Sequence, residues 1–328
     1  MNSRRSIIAG LGGMLALPRF VRAQLPKKIA RIGYLDPGSS ASSATRTQGF
    51  KQGLRELGYV EGNNLSIDFR HANGDVPLHS KLADELFSLK PDCMIAVGLG
   101  AAVAFSRLTK TIPIVIANID ADPVKEGLIT SLARPGGNIT GLTGIAWELA
   151  AKRIELLREV APKAQRIAVL FDPRSSAGYA HVEGTQAAAR KLGLQLQMLE
   201  ARDPEAIDHA FKAAREARAE AISVIHIGLM QTQRPRIVKL VAEARLPAIY
   251  SDVTFVDEGG LIGYAPDIVV QHRRAAVFVD KIFKGTKPAD LPMEQPTRFE
   301  LAINMKTAKA LGITFPQTIL VRAERVIE

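Results

Sequence analysis

Residues 31–58 read R-I-G-Y-L-D-P-G-S-S-A-S-S-A-T-R-T-Q-G-F-K-Q-G-L-R-E-L-G. The apolar run 29–35 predicts a buried strand, the pattern over 44–57 predicts a helix, and a serine-rich polar turn separates them. Strand, turn and helix in this order form the first half of a βαβ unit. The segment therefore indicates an α/β fold.

The same order of elements recurs 135 residues further along the chain, between Arg166 and Gly193. There the apolar run 166–171 leads into the turn D-P-R-S-S, which matches D-P-G-S-S at 36–40. Later landmarks recur in the same order: 91–98 with 221–228, 112–115 with 246–249, and 136–141 with 259–263. The shared turn favours a duplicated architecture over the general similarity of α/β domains. We therefore predict two doubly wound, Rossmann-like lobes with parallel sheets.

These landmarks divide the chain into two predicted lobes. Residues 29–143 form the first lobe, to which about 267–293 return, and residues 144–266 form the second lobe, to which about 294–328 return. Within the first lobe we expect a helix over Val124–Leu132. The glycine-rich exits Gly141–Gly144 and Gly263–Pro266 are the predicted hinge.

The composition is that of a globular protein with a basic surface. The chain has 328 residues, is 47% hydrophobic and carries a formal net charge of +10. Its basic residues are mixed with acids on helix faces, as over 152–159, and no basic run reaches five residues. Aromatic residues spaced for base stacking are absent too. The charge therefore does not indicate a nucleic-acid partner, and we expect a monomer.

Residues 1–23 have the features of a cleavable export signal. They combine a charged start, an apolar run over 7–17 that is too short to span a membrane, and V-R-A before Gln24. The stretch S-R-R-S-I-I at 3–8 resembles the twin-arginine export motif, although Ala9 stands where lysine is common, so Sec-dependent export remains an alternative. No cysteine near residue 24 could take a lipid. We expect a mature protein of net charge +6, free in the periplasm.

Signatures of enzymes and metal sites are largely missing. The six histidines lack partners at metal-ligand spacing, and neither G-x-S-x-G nor G-x-x-x-x-G-K occurs. The sole cysteine, Cys93, lies in an apolar strand and is expected to be inert. Gly-Leu-Gly at 98–100 with Asp120 approaches a dinucleotide fingerprint, but the branched Val103 occupies the third small position. We predict no catalysis, metal or cofactor, and keep an NAD(P)-dependent oxidoreductase as the weaker alternative.

A ligand site is expected where the predicted strands end. In parallel α/β sheets ligands bind outside the carboxyl ends of the strands, and the loops there are rich in small polar residues. Helix N-termini would suit a carboxylate because their N–H groups are unpaired, and aspartates would suit an ammonium group. The alternative is that each Ser or Asp only caps a helix. The candidate ligand-binding residues are Asp36, Ser42, Ser43, Gly98, Gly100, Asp120, Asp122, Thr143, Asp172, Ser176, His226 and Asp252.

Longer motifs resemble a known family. D-P-V-K-E-G-L at 122–128 is followed by S-L-A-R-P-G-G-N-I-T-G at 131–141. Further matching stretches are G-L-R-E-L-G-Y at 53–59, R-R-A-A at 273–276, D-K at 280–281, F-E-L at 299–301 and K-T-A-K-A-L-G at 306–312. Together they resemble the substrate-binding proteins of ABC transporters of the tryptophan/tyrosine type, and they cover nearly all of the mature chain.

The resemblance implies a type I periplasmic-binding fold, in which two lobes joined by three crossings close on a small solute. It also implies delivery to an ABC permease and an aromatic amino acid or related carboxylate as the solute. In one departure from the family, N-I-D-A at 118–121 precedes the usual Asp-Pro, which adds a second acid to this loop. A ligand sensor for a signalling receptor would use the same cleft and remains an alternative.

Aromatic residues near the ends of the predicted strands are few. Each is more typical of a core than of a ligand wall: Tyr34, Phe171, Tyr250, Phe255 and Tyr264. Trp147, the sole tryptophan, lies just past the first predicted connection between the lobes. Its fluorescence is expected to change when a ligand binds.

Overall fold

A computed structural model describes residues 29–174, 176–225 and 229–328 of the chain. Inside its helices, the side chains at 146, 147, 176, 177 and 180 are not described. The export segment 1–23 and His226 therefore lie outside the described residues, as do the side chains of Trp147 and Ser176. The expectations that concern them stay predictions.

The N-terminal part of the chain forms a sheet of five parallel strands in the order β2-β1-β3-β4-β5. The strands are β1 Ala30–Asp36, β2 Leu65–His71, β3 Cys93–Val97, β4 Ile114–Asn118 and β5 Ile139–Gly141, and the helices between them are α1 Ala44–Glu56, α2 Leu78–Ser88 and α3 Gly98–Leu108. We call this sheet and the helices packed on it the first lobe.

The rest of the chain forms a sheet of seven strands in the order β12-β11-β10-β9-β8-β6-β7. The strands are β6 Arg166–Phe171, β7 Gln195–Glu200, β8 Ala221–Val224, β9 Ala248–Tyr250, β10 Ile262–Pro266, β11 Phe299–Asn304 and β12 Arg325–Ile327. The remaining helices are α4 Ala146–Val160, α5 Ser176–Leu192, α6 Pro204–Glu216, α7 Leu229–Thr232, α8 Arg234–Ala244, α9 Thr254–Asp257, α10 Ile268–Phe283, α11 Met305–Leu311 and α12 Gln317–Leu320, with a 3-10 turn over Pro288–Asp290. This sheet and the helices on it are the second lobe, whereas α10 and the 3-10 turn pack on the first lobe.

The two sheets share one strand order. The run β7-β6-β8-β9-β10 repeats β2-β1-β3-β4-β5, so each lobe places its second strand at an edge, beside its first. The predicted architecture of two doubly wound α/β lobes is confirmed. Both sheets are parallel as predicted, except that β11 runs antiparallel to β10. This strand enters from the first lobe instead of through a crossover helix on its own sheet, which is what a parallel neighbour requires.

Three connections join the lobes, at 142–145, at Asp267 and at 291–298. The carboxylate of Asp267 accepts hydrogen bonds from two backbone N–H groups at the start of α10, and this helix packs against α1 of the first lobe. Leu142 pairs with Glu294 in a parallel bridge, and the N–H of Asp267 donates to the carbonyl of Arg298. The three connections therefore run side by side.

The segment 124–132, predicted as a helix, instead forms a series of turns. The carboxylate of Asp122 accepts the N–H of Val124, as at a helix start, but Gly127 adopts a φ of +68°. A residue in this left-handed region directs the chain out of the helical path. The helix prediction is therefore wrong.

The predicted hinge segments are more constrained than expected. Gly263–Pro266 belongs to β10, which pairs with strands on both sides. Gly141 closes β5 with a φ of +129°, and a Cβ there would lie 2.1 Å from the carbonyl oxygen of Ile116. Only glycine fits at that position, because the backbone of the neighbouring strand β4 lies so close.

Each lobe has its own apolar core against both faces of its sheet. Tyr34, Phe50 and Phe278 lie in the first lobe between the sheet and the helices α1 and α10. Cys93 is fully buried there, and burial raises the pKa of its thiol to about 12, as expected for an inert cysteine. Within the described ranges, no helix combines the length and apolarity needed to cross a membrane.

Candidate functional site between the two lobes

A cavity of about 480 Å³ lies between the two lobes at the carboxyl ends of the strands. The loops after β1, β3 and β4 form its wall in the first lobe, and the loops after β6 and β9, with α7, form the facing wall. This is the position that parallel α/β sheets favour for ligands. The volume falls in the range of small-molecule sites, about 300–1,000 Å³.

The lobes contact each other beside the cavity, and glycines allow the approach. A Cβ on Gly38 of the first lobe would lie 3.0 Å from Oε1 of Gln231 on α7. A Cβ on Gly74, whose φ is +79°, would lie 3.3 Å from Cα of Leu229 and 3.1 Å from Oγ1 of Thr232. The structure is therefore a closed arrangement with a space retained inside it.

Asp36 is fully buried behind the wall of the first lobe. Its carboxylate accepts hydrogen bonds from the N–H of Gly38 (2.7 Å), the hydroxyl of Ser43 (2.6 Å) and two N–H groups of Arg46 (2.7 and 2.6 Å). Burial would raise the pKa of this carboxyl, but Arg46 and the other hydrogen bonds outweigh it and lower the pKa to about 2. Asp36 and Ser43 thus hold Arg46, which lines the cavity, and do not reach the cavity themselves.

Ser42, Gly98 and Gly100 line the cavity. Gly98 opens α3 with a φ of +80°, and no side chain caps this helix, so its first N–H groups can bind an anion. A Cβ on Gly100 would lie 3.1–3.2 Å from the ring of His79, so glycine allows that ring to pack against the start of α3.

The loop after β4 presents Asp120 to the cavity, but not Asp122. Asp122 is exposed and caps the turn that follows it. Thr143 is buried in the first connection, where its N–H donates to the carbonyl of Glu294. Of these three candidates, only Asp120 lies on the cavity wall.

Asp172 of the second lobe is buried and bonded to Arg174. Its carboxylate accepts the backbone N–H of Arg174 at 2.9 Å and two guanidinium N–H groups at 3.0 and 2.7 Å. Arg174 lines the cavity and Asp172 does not. Asp252 does line it, and accepts both the N–H (2.8 Å) and the hydroxyl (2.6 Å) of Thr254.

Arg153 on α4 is buried and lines the cavity from the second lobe, whereas the mixed charges over 152–159 predicted a surface residue there. Its Nε donates to the carbonyl of Tyr264 at 2.7 Å, and its Nη1 lies 3.1 Å from Nδ1 of His181. A guanidinium can only donate, so Nδ1 accepts and His181 carries its proton on Nε2. That nitrogen lies 3.7 Å from Oδ2 of Asp120, across the gap between the lobes. Burial lowers the pKa of His181, which keeps the ring neutral at pH 7.

Other buried polar atoms on the wall have no hydrogen-bond partner within the described part of the chain. They are Oδ1 of Asn118, Nε2 of His79 and both amide atoms of Gln271. Nδ1 of His79 lies 2.8 Å from the carbonyl of Val76, which can only accept, so Nε2 is left as an acceptor. Because buried polar atoms are normally bonded, this wall suits a ligand with polar groups of its own.

No aromatic side chain lines the cavity, as far as the described residues go. Tyr34, Phe171, Tyr250 and Phe255 are buried in the lobes, and Tyr264 stacks on Phe299. The apolar part of the wall is aliphatic and includes Leu99, Val103, Val253 and Ile268. Among the described residues, no group of three His, Cys, Asp or Glu side chains could hold a metal ion.

Comparison with known proteins defines the class of this protein. Residues 34–327 match the family of ABC transporter substrate binding proteins, so the chain belongs to that family. Its two-lobed architecture is that of type I periplasmic binding proteins, shared with more distant solute-binding proteins of known structure.

Individual relatives are similar along almost the whole chain. A tyrosine-binding protein from Clostridioides difficile (strain R20291) is 27% identical over 287 residues, which cover 88% of this chain and 82% of that protein. The crystal structure of an ABC domain in complex with L-Trp from Streptococcus pneumonia has a TM-score of 0.84 at 28% identity, covering 91% of this chain and 99% of the other. A conserved domain protein from Vibrio cholerae has a TM-score of 0.85 at 26% identity, with coverage of 91% and 100%.

Proposed function

We propose that this protein is the periplasmic substrate-binding component of an ABC importer and closes its lobes on an aromatic amino acid. The observation that carries the proposal is the cavity between the lobes, which has charges of both signs and unpartnered polar atoms on its wall. The family match supports a solute-binding role. The names of two relatives, which mention tyrosine and L-Trp, support an aromatic amino acid.

The cavity wall suits the zwitterionic end of an amino acid. The uncapped start of α3 and the arginines on the wall offer N–H donors to a carboxylate. Asp120 and Asp252 offer carboxylate oxygens to an ammonium group. Leu99, Val103 and Val253 offer aliphatic surface to the ring.

Transport then follows from closure. The moving bodies in this proposal are residues 29–143 with the return over 267–293, and residues 144–266 with the return over 294–328. Contacts to both lobes exist only when the lobes meet, so a bound solute shifts the population toward the closed form. A permease in the inner membrane would recognise that form. No step requires covalent chemistry or a cofactor.

Titration calorimetry with a panel of amino acids tests the proposal. L-Tyrosine and L-tryptophan are expected to bind with a dissociation constant near 1 μM, which corresponds to roughly −8 kcal/mol. L-Leucine and L-lysine are expected to bind at least about tenfold weaker, a difference of about 1.4 kcal/mol. The fluorescence of Trp147 should change with L-tyrosine. If no amino acid releases heat or raises the melting temperature, the proposed solute class is wrong.

The partner is tested in the cell. A strain that lacks this protein should take up radiolabelled tyrosine more slowly, and the full-length chain should restore uptake. Normal uptake in that strain, combined with a lost transcriptional response to tyrosine, would favour a ligand sensor over an importer.

A further inference from the structure

Arg153 is a buried charge, and no carboxylate lies within ion-pair distance of it in the described part of the chain. Only 4% of the residue is exposed. Both of its hydrogen-bond partners, the carbonyl of Tyr264 and the ring of His181, are uncharged. Asp120 and Asp252 act on the guanidinium only at longer range, and burial lowers the pKa of Arg153 to about 10. An arginine stays protonated there at neutral pH and needs a counter-ion.

The guanidinium of Arg153 also has N–H donors that neither of these two bonds uses. It has five N–H groups, and the bonds to Tyr264 and His181 use one on Nε and one on Nη1. The second N–H of Nη1 and both N–H groups of Nη2 have no hydrogen-bond partner among the described residues. Two adjacent N–H groups of this kind match the two oxygens of a carboxylate.

The other cavity arginines are already paired with protein carboxylates, or are exposed. Arg46 is bonded to Asp36, Arg174 to Asp172 and Arg234 to Glu258. Arg107 lies on the exposed face of α3. As far as the described residues go, Arg153 therefore differs from the other cavity arginines in being both buried and without an acidic partner.

We propose that Arg153 binds the carboxylate of the solute, and that His181 positions the guanidinium for it. This inference rests on the proposed function, because it names a contact within the same cavity. It assigns the carboxylate of that solute to one side chain. His181 acts through Arg153: its Nδ1 fixes Nη1, and its Nε2–H faces Asp120 of the opposite lobe.

The first experiment changes the ligand and leaves the protein intact. Calorimetry compares L-tyrosine with tyramine, which lacks the carboxylate, and with L-tyrosine amide, in which a neutral amide group replaces it. We expect both analogues to bind about 100-fold weaker than tyrosine, since the lost bonds are charge-assisted and buried. Equal affinity for tyrosine and tyramine would overturn the inference while leaving the binding function intact. If none of the three binds and tryptophan does not bind either, the proposed function itself fails.

The second experiment changes the protein and looks for coupling. Arg153→Gln should bind tyrosine about 100-fold weaker and should no longer distinguish tyrosine from tyramine by more than about threefold, because the interaction that separates them is gone. Arg153→Lys keeps the charge but not the paired donors, and should give an intermediate loss. Arg158→Gln on the same helix is the matched control: within the described residues the Arg158 side chain bonds only the carbonyl of Leu192, and tyrosine affinity should be unchanged.

His181 is tested as a positioning residue. His181→Leu removes the acceptor for Nη1 and should weaken tyrosine binding about tenfold, with tyramine binding unchanged. His181→Asn, which can offer an amide oxygen to the same N–H, should recover part of the loss. Equal losses for tyrosine and tyramine in His181→Leu would show a general structural effect and contradict this role.

Discussion

Asp36 and Asp172 occupy equivalent positions after the first strand of each lobe, in the turns D-P-G-S-S and D-P-R-S-S. Each accepts the backbone N–H of the residue two positions later, and each binds an arginine through both oxygens. The arginines differ in origin. Arg46 comes from α1 and has a side chain only 7% exposed, whereas Arg174 comes from the turn itself and is 32% exposed.

The two aspartate–arginine pairs share one sequence motif but differ in burial. Both arginines line the cavity, but the first pair is almost fully buried, so removing its carboxylate would leave an unpaired buried charge. The second pair is partly hydrated, which weakens it. A repeated sequence motif has therefore kept its local hydrogen bonds while the burial of the charge has diverged.

Replacing each aspartate with asparagine tests this difference most strongly. Asp36→Asn leaves Arg46 buried without a counter-charge and should cost about 3–5 kcal/mol of unfolding free energy. Asp172→Asn should cost about 1 kcal/mol or less, because Arg174 can turn to water. Urea unfolding of both variants gives the two values. Equal losses would contradict the assignment of the first pair to stability.

Acid should destabilise the protein through a buried histidine of the first lobe. Burial, with a contribution from Arg46, lowers the pKa of His272 in the first lobe to about 4. The unfolded chain takes up this proton near pH 6.5, so between these values the unfolded state binds more protons and stability falls as the pH falls. The expected loss from pH 6.5 to 4 is on the order of 3 kcal/mol.

Melting temperatures across that pH range, for the wild type and for His272→Gln, measure this contribution. The variant should show a shallower loss of stability with acid than the wild type. Identical slopes would mean that His272 is protonated in the folded state at its ordinary pKa.

The third position of the turn gives the smallest expected effect. A Cβ on Gly38 would lie 2.7 Å from Oγ of Ser42 and 2.9 Å from Nη2 of Arg46, as well as near Gln231 of the opposite lobe. Arg174 occupies the equivalent place in the second lobe. Gly38→Ala should cost about 1 kcal/mol of stability by crowding and should weaken tyrosine binding, because the added methyl group would also crowd Gln231 of the opposite lobe.

Gly137→Ala is the control for that variant, since a Cβ there meets no atom within 4 Å. It should leave both stability and affinity unchanged. If Gly38→Ala binds tyrosine normally, the contact with Gln231 does not limit closure.

The repeat predicted the two lobes and the position of the cavity, but it did not predict most of the polar groups on the wall. Arg153 stands four residues before Leu157 and seven before Val160, both buried, so it lies on the apolar stripe of α4. His79 stands in the same relation to Ala83 and Leu86 on α2. A polar residue on an apolar helical stripe was the available signal.

The contacts of these residues could not be predicted, because they join distant parts of the chain. His181 and Asp120 face each other only through the arrangement of the lobes. The aspartates were the candidates that the sequence made most obvious. Asp36, Asp172 and Asp122 instead accept backbone N–H groups of their own turns, which is the common capping role of such residues.

The proposed function depends on closure around a solute, and distance measurements between the lobes test whether closure occurs. Lys125, next to the cavity residue Glu126, and Lys239, on the same helix as Arg234, are both exposed. Spin labels on cysteines introduced at these positions can be attached selectively, because Cys93 is buried. Without solute we expect a broad distribution of distances between the two labels. With saturating L-tyrosine the mean distance should become shorter and the distribution narrower. An unchanged distribution under conditions where calorimetry shows tyrosine bound would contradict closure around the solute.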